Sequence, residues 1–112
     1  MFQKMLQGGG GGLKIVNLLD APVNLPANTA TNTQIPLNDN VRNYELLYVY
    51  FYSSTHNRVG IQILDAKSSA VHLGEIVLVN KNIPWTTVYD DYLNITDWSE
   101  ANCQVIKVIG FK

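Results

Sequence analysis

The sequence predicts an all-β protein, an antiparallel β-sandwich, jelly-roll-like or similar, of about six to eight short strands. Short runs of alternating apolar and polar residues recur at regular spacing, and clusters of Gly, Pro, Asn, Asp and Ser separate them. No stretch of ten or more residues carries apolar positions at helical spacing. A chain of 112 residues is expected to build one hydrophobic core.

The N-terminal residues differ from the rest of the chain. Gly8 to Gly12 are five consecutive glycines, and glycine has no preference between left- and right-handed backbone regions. We therefore predict a flexible leader with a poly-glycine tether over residues 1–12 and a single β-sandwich domain over residues 13–112. An unstructured leader and a leader that docks onto a neighbouring subunit both remain open.

The predicted strands follow in order along the domain. "LKIVNLL" starts the series, and "TQIPL" is a short edge strand because its proline donates no ladder hydrogen bond. "YELLYVYFYSS" and "RVGIQILD" form a hairpin, since the polar turn "STHN" lies between two apolar runs. Further strands are predicted at residues 70–80, 85–93 and 103–112. In the last of these, Val105, Lys107, Ile109 and Phe111 alternate and are expected on one face.

The first strand of the hairpin is apolar on both sides. Leu47, Val49 and Phe51 point one way, whereas Tyr48, Tyr50 and Tyr52 point the other, together with Tyr44 and Leu46. A two-layer sandwich buries one face of each strand, so the second face needs a third layer. Either another segment of this chain or a second copy could supply it. Tyrosine-rich, charge-poor surfaces are typical of interface cores, so Tyr48, Tyr50 and Tyr52 are predicted to form the interface of a homo-oligomer.

Composition excludes several classes of protein. Charged residues make up 15% of the chain, against about 25% in an average domain, and the eight Lys and Arg residues are scattered, so no nucleic-acid partner is expected. The single Cys103 excludes an internal disulfide and a cysteine-rich zinc site. No apolar run approaches the ~18–20 residues of a membrane span, and the N-terminus lacks the apolar region of a secretory signal, so no membrane insertion or export is expected.

Candidate chemistry is sparse. His56 and His72 belong to no metal-spaced cluster, and no "GxSxG" motif is present, so no catalytic residue, metal or cofactor is predicted and the protein is expected not to be an enzyme. The run "DDYLNITDWSE" clusters Asp90, Asp91 and two further acids. A pair of these carboxylates could act as glycosidase acid and base, which keeps a small hydrolase as an alternative, although such a run is more often a solvated acidic loop.

Aromatic residues next to carboxylates and amides suggest a carbohydrate-binding surface. Ring faces stack on sugar C–H groups while polar side chains hold the hydroxyls. The candidate ligand-binding residues are Trp85, Tyr89, Asp91, Tyr92 and Trp98. A monomeric carbohydrate-binding module is therefore a further alternative, set against the frequent use of tryptophan in the cores of small sandwiches.

The end of the chain, "DWSEANCQVIKVIGFK", resembles the C-terminal strand of small virion proteins of tailed bacteriophages and prophages. In that group a short leader precedes an all-β domain, and the chain often closes with a "K-I-x-G-[YF]-K" type sequence, here "KVIGFK". "IPLNDNVRNYELLYVYFYSS" is similar to the middle strand of the group. The resemblance covers roughly residues 33–112.

The resemblance implies a structural component of the virion, of the tail-fibre, receptor-binding or decoration type, made in the cytoplasm of the bacterial host. Such components are commonly trimers, contact other virion proteins and sometimes bind host-surface glycans. The group has no fixed catalytic motif. The leader is far shorter than a fibre shaft, so an adhesin, a decoration protein and a module attached to another fibre all stay open.

Overall fold

The computed structural model describes residues 14–27, 31–68, 72–76, 85–96 and 98–112, with the backbone alone for residues 72–76. The described residues form nine strands and one 3₁₀ turn, Val41–Asn43. The strands are β1 Ile15–Asn17, β2 Val23–Leu25, β3 Thr33–Pro36, β4 Leu46–Ser53, β5 Arg58–Asp65, β6 His72–Ile76, β7 Trp85–Val88, β8 Tyr92–Thr96 and β9 Cys103–Phe111. The prediction of an all-β antiparallel sandwich is confirmed, and the count of nine slightly exceeds the expected six to eight. The predicted leader at residues 1–12 and most of the strand predicted at 70–80 lie outside the described residues.

The larger sheet has the strand order β1-β9-β4-β5-β6, with β2 paired to β9 on the same side as β1. Its centre is the predicted β4–β5 hairpin, which is confirmed with Ser53 opposite Arg58. The last strand, β9, pairs antiparallel with β4 along its length. The β1–β2 segment then follows the free side of β9, and between the two short strands the Leu18 N–H still donates to the Val108 carbonyl at 2.8 Å.

A β-bulge in β9 changes which side chains share a face. The register against β4 shifts between Tyr50 and Phe51, so that Lys107 pairs with Tyr50 and Val105 with Phe51. The extra residue, Ile106, reverses the alternation at that point. Val105 is therefore fully buried, whereas Lys107 is exposed on the opposite face. The expectation that Val105 and Lys107 share a face is wrong, because two-residue alternation holds only where no bulge intervenes.

The smaller sheet has the order β3-β8-β7. "TQIPL" lies at its edge as β3, which confirms that prediction. The single strand predicted at 85–93 is wrong: β7 and β8 are two strands of a hairpin, with Val88 opposite Leu93. The chain turns at residues 89–91, where the Tyr89 N–H donates to the Tyr92 carbonyl at 3.0 Å. Two adjacent aspartates favour a turn over a strand interior, and this local signal outweighs the apolar pattern on either side.

One hydrophobic core lies between the two sheets. Leu47, Val49 and Phe51 of β4 face it, as the alternation predicts. A polar contact crosses the same interior, since the Thr86 hydroxyl of β7 donates to Gln62 Oε1 of β5 at 2.6 Å with both residues buried. This contact shows that the smaller sheet covers the β5 side of the inner face.

Tyr44 belongs to the core and not to the outer face suggested by its spacing. It precedes β4, immediately after the 3₁₀ turn, and its side chain is 1% exposed. Its hydroxyl donates to Asp39 Oδ2 at 2.7 Å, and its ring lies against Gly110 of β9. Burial, together with the bond to Asp39, raises the pKa of the Tyr44 hydroxyl to about 12.

Candidate functional site

The outer face of the larger sheet carries the predicted interface residues. We define the tyrosine face by the outward positions of three neighbouring strands. They are Leu46, Tyr48, Tyr50, Tyr52, Val59, Ile61, Ile63, Asp65, Gln104, Lys107, Ile109 and Phe111. All but Asp65, Gln104 and Lys107 are apolar or aromatic, although outward positions of antiparallel sheets are commonly polar.

The register places these side chains in rows across the sheet. Ile109, Tyr48 and Ile63 lie side by side in one row, and Lys107, Tyr50 and Ile61 in the next. Neighbouring strands are about 4.8 Å apart, so side chains in one row are in contact. The tyrosine face is thus continuous over three strands.

Contacts within the tyrosine face order its aromatic rings. The rings of Tyr48 and Phe111 lie 4.6 Å apart between centroids, and Lys107 Nζ lies 5.9 Å from the centre of the Tyr50 ring. Tyr48, Tyr50 and Tyr52 are each half-buried. Because the smaller sheet packs on the opposite face, none of the nine described strands supplies a third layer here.

The predicted ligand-binding residues divide into two groups. Trp85 is 66% exposed and Tyr89 is 42% exposed, and the Tyr89 ring stacks on Tyr92 with centroids 4.6 Å apart. Asp91 is exposed in the turn between their strands. Trp98 does not join this surface: it is 3% exposed, stacks on Phe51 at 5.7 Å between ring centroids, and donates its indole N–H to the Glu100 carbonyl at 2.9 Å.

The acidic residues of the run that the structure describes lie on both sides of β8. Asp90 and Asp91 precede β8 and Glu100 follows it, while Asp97 lies outside the described residues. The Asp90 carboxylate accepts a hydrogen bond from Arg42 Nε at 3.0 Å. A strand of five residues, which advances the chain by about 16 Å, therefore lies between Asp91 and the segment that carries Glu100.

A cysteine, a glutamate and a histidine do meet near the start of β9. The Cys103 thiol contacts Glu100 Oε2 at 3.2 Å, and His56 Nε2 lies 3.3 Å from Glu100 Oε1. The carboxylate thus stands between the thiol and the imidazole. Burial, reinforced by Glu100, raises the pKa of the Cys103 thiol to about 12. This order of groups suppresses the thiolate that nucleophilic catalysis requires.

A cavity of about 440 Å³ opens at the end of the larger sheet, beside the β4–β5 turn. We call it the amide pocket, because three carboxamide side chains line it. Its lining consists of Asn24, Leu25, Tyr52, Ser54, Asn102, Cys103 and Gln104. The amides give no local signal in the sequence, since they lie far apart in the chain and only the pairing of β2 with β9 and of β9 with β4 brings the pocket residues together.

The described part of the chain contains no cluster of three or more His, Cys, Asp or Glu residues able to hold a metal ion. Within those same ranges, no helix has the length and apolar character needed to cross a membrane.

No protein-family model matches the chain, and neither a curated protein nor a solved structure is significantly similar to it.

Proposed function

We propose that the protein is a non-enzymatic module that assembles as a homo-oligomer through the tyrosine face and serves as a structural or binding component of a phage particle. The observation that carries this proposal is the apolar outer face of the larger sheet, centred on Tyr48 and Tyr50. Soluble monomers rarely expose apolar patches that extend across several strands. A second copy of the chain supplies the missing layer in the proposed assembly.

The composition of the tyrosine face supports an interface of this kind. Tyrosine combines a large apolar ring with a hydroxyl that finds a partner or stays wet at the rim. The charge near the centre belongs to Lys107, and its position beside the Tyr50 ring allows a cation–π contact that offsets part of its desolvation. Its long apolar stem also lets the ammonium group reach the edge of the contact.

The assignment to a virion rests on the resemblance of the middle and last strands to small phage proteins. In the proposed role, each chain of the oligomer carries one weak binding site. Because the oligomer holds these identical sites at fixed geometry, together they bind a repetitive surface better than a single site does. A trimer is the expected stoichiometry, since the resembling proteins are commonly trimeric. Other virion proteins are the expected partners, and mass spectrometry of purified particles tests whether the chain is present in them.

Tyr50→Asp tests the interface. A carboxylate at position 50 would stand opposite Lys107, but burying this ion pair in the contact would strip both charges of water and remove the tyrosine ring. We expect a cost of at least about 2 kcal/mol, so the association constant should fall by about 30-fold or more. We expect light scattering coupled to size-exclusion chromatography, over a dilution series, to give a multiple of 12.5 kDa for the unmodified chain and 12.5 kDa for the variant.

Tyr89→Asp is the matched control, since Tyr89 is an exposed tyrosine on the smaller sheet. It should leave the mass unchanged, and circular dichroism should show that both variants keep their strands. A Tyr50→Asp protein with unchanged mass would refute the interface. A chain that stays monomeric at the highest concentration would refute the homo-oligomer altogether.

A carbohydrate-binding module is the second candidate, favoured by the exposed Trp85 beside the stacked Tyr89 and Tyr92. A sugar stacked on Trp85 would shield its indole from acrylamide. The fluorescence of the buried Trp98 should change little on addition of acrylamide or of sugar. This function would be supported if sugar protected the fluorescence of the native chain from acrylamide quenching and if this protection were lost in Trp85→Phe. Equal quenching with and without sugar would exclude a carbohydrate site at Trp85.

A further inference from the structure

The amide pocket has the volume of a small-molecule site. Its volume of about 440 Å³ falls within the roughly 300–1,000 Å³ typical of ligand pockets. Asn24, Gln104 and Tyr52 form one row across β2, β9 and β4. Ser54 and Asn102 come from the two chain segments that border this end of the sheet. The site is therefore built mainly on paired strands.

Existing hydrogen bonds hold the lining side chains in place. Gln104 Nε2 donates to Asn24 Oδ1 at 2.7 Å, and Asn102 Nδ2 donates to Thr55 Oγ1 at 2.9 Å. The Tyr52 hydroxyl donates to Asn57 Oδ1 at 3.2 Å, which fixes the ring as one wall. A site whose polar groups are already oriented loses little conformational entropy when a ligand binds.

Asn102 is positioned by its backbone as well. It adopts a left-handed conformation with φ of 60°, which asparagine tolerates better than most residues. Its carbonyl accepts from both the backbone N–H and the hydroxyl of Ser54, at 3.0 and 3.2 Å. The β4–β5 turn and the start of β9 are thereby joined at the border of the pocket.

In the contacts between described residues, each of the three amides uses only one of its two polar groups, either the oxygen or the NH₂ group. Gln104 uses its NH₂ group and not its oxygen, Asn24 its oxygen and not its NH₂ group, and Asn102 its NH₂ group and not its side-chain oxygen. The pocket thus offers both donors and acceptors, and exchanging the two ends of Gln104 and Asn24 together would preserve this mixture.

The lining selects a neutral ligand. Its residues include no Asp, Glu, Lys, Arg or His, and burial keeps the Cys103 thiol protonated by raising its pKa to about 12. A phosphate or carboxylate ligand would lack a cationic partner here. Hydroxyl groups both donate and accept, and the C–H face of a sugar ring packs against an aromatic wall such as Tyr52.

We propose that the amide pocket binds a single neutral sugar unit through Asn24, Asn102 and Gln104, with Tyr52 as its apolar wall. This site is distinct from the Trp85 surface on the smaller sheet and goes beyond the proposed assembly role. Tyr52 is the outermost tyrosine of the tyrosine face and also the wall of the pocket, so an oligomer centred on Tyr48 and Tyr50 would carry one such site per chain at the rim of each contact.

Titration of the nitrogen-15-labelled full chain with glucose, galactose, mannose and N-acetylglucosamine tests the proposal. With at least one of these sugars, the side-chain NH₂ signals of Asn24, Asn102 and Gln104 should shift in a saturable manner. Glucuronate, which differs from glucose by a carboxylate, should bind more weakly than glucose. Gln104→Leu should weaken binding by about fivefold or more, the loss expected for one hydrogen bond.

Trp85→Ala and Asn24→Ala make the test specific. Trp85→Ala should leave the affinity unchanged, because its side chain belongs to the other sheet. Asn24→Ala should weaken binding as Gln104→Leu does, and Asn24 is an exposed residue of a short strand, so the variant should fold. No shift with any of the neutral sugars would overturn the proposal, and so would shifts that Gln104→Leu leaves intact or shifts confined to the Trp85 indole.

Discussion

Replacing Gly110 with alanine should destabilise the fold, because β9 passes directly against a buried tyrosine ring. A Cβ atom at residue 110 would lie 2.6 Å from Tyr44 Cδ1 and 2.8 Å from Cγ. Carbon atoms in contact are normally about 3.5–4.0 Å apart, so the ring or the strand must move by roughly 1 Å. The clash involves the base of the ring, which no rotation of the side-chain tip relieves.

The surroundings of Tyr44 oppose that movement. Its hydroxyl bonds to Asp39 at 2.7 Å, its side chain is 1% exposed, and Lys112 Nζ lies 5.0 Å from the ring centre. Overpacking of this kind costs about 1–3 kcal/mol. Alanine has less conformational freedom than glycine in the unfolded chain, which by itself raises the free energy of unfolding by about 0.4–1 kcal/mol. We therefore expect Gly110→Ala to lower the free energy of unfolding by about 1–2 kcal/mol.

Urea unfolding followed by fluorescence measures this loss, and the effect on Tm should be about 4–8 °C per kcal/mol. A second variant, Tyr44→Leu, completes a double-mutant cycle. If the added methyl group destabilises the protein by clashing with the Tyr44 ring, Gly110→Ala should lower the free energy of unfolding clearly less when Tyr44 is already replaced by leucine. A Gly110→Ala protein as stable as the original, or a cycle with no coupling between the two positions, would contradict a clash between residue 110 and the Tyr44 ring.

Two other predictions concern side chains at the ends of the sheets. Arg42 donates to the carbonyls of Ala66, Ser68 and Val88 at 3.0 Å each, so Arg42→Met should cost about 1–3 kcal/mol in thermal or urea unfolding. Asp90→Asn should lower the free energy of unfolding by less than about 1 kcal/mol, since the Asp90 side chain is 70% exposed. If both variants lost the same free energy of unfolding, the three hydrogen bonds from Arg42 to backbone carbonyls would have no stabilising role. Burial raises the pKa of the Cys103 thiol from 9.0 to about 12, so its contribution to stability should be complete below pH 9 and decline as pH rises toward 12. At pH 8 a thiol reagent should modify Cys103 only as fast as the chain opens, and rapid labelling of the native protein would contradict the buried, protonated thiol.

Local patterns were sufficient to predict much of the larger sheet. The β4–β5 hairpin, the closing strand and the inward set Leu47, Val49 and Phe51 follow from two-residue alternation and from the polar turn between the strands. The same alternation failed at the β9 bulge, where Ile106 is an extra residue. It also failed at Tyr44, which enters the core after a 3₁₀ turn. In both places the backbone departs from the repeat on which the pattern depends.

The candidate sites were predictable to different degrees. The tyrosine face was visible in the sequence, because a strand that is apolar on both sides signals its unusual outer surface directly. The separation of Trp98 from Trp85 was not, since both tryptophans follow similar polar stretches and only the tertiary structure distinguishes the core stack on Phe51 from an exposed position. The amide pocket gave no local signal at all.

Local sequence patterns specify the fold class, the central hairpin and the apolar character of both faces of β4, because these properties depend on residues that are close together in the chain. Which of these faces the smaller sheet covers, and that Asn24 lies beside Gln104, depends instead on the pairing of strands that are distant in the chain. That pairing sets which side chains share a row, and a single bulge moves the following side chains of a strand to the opposite face.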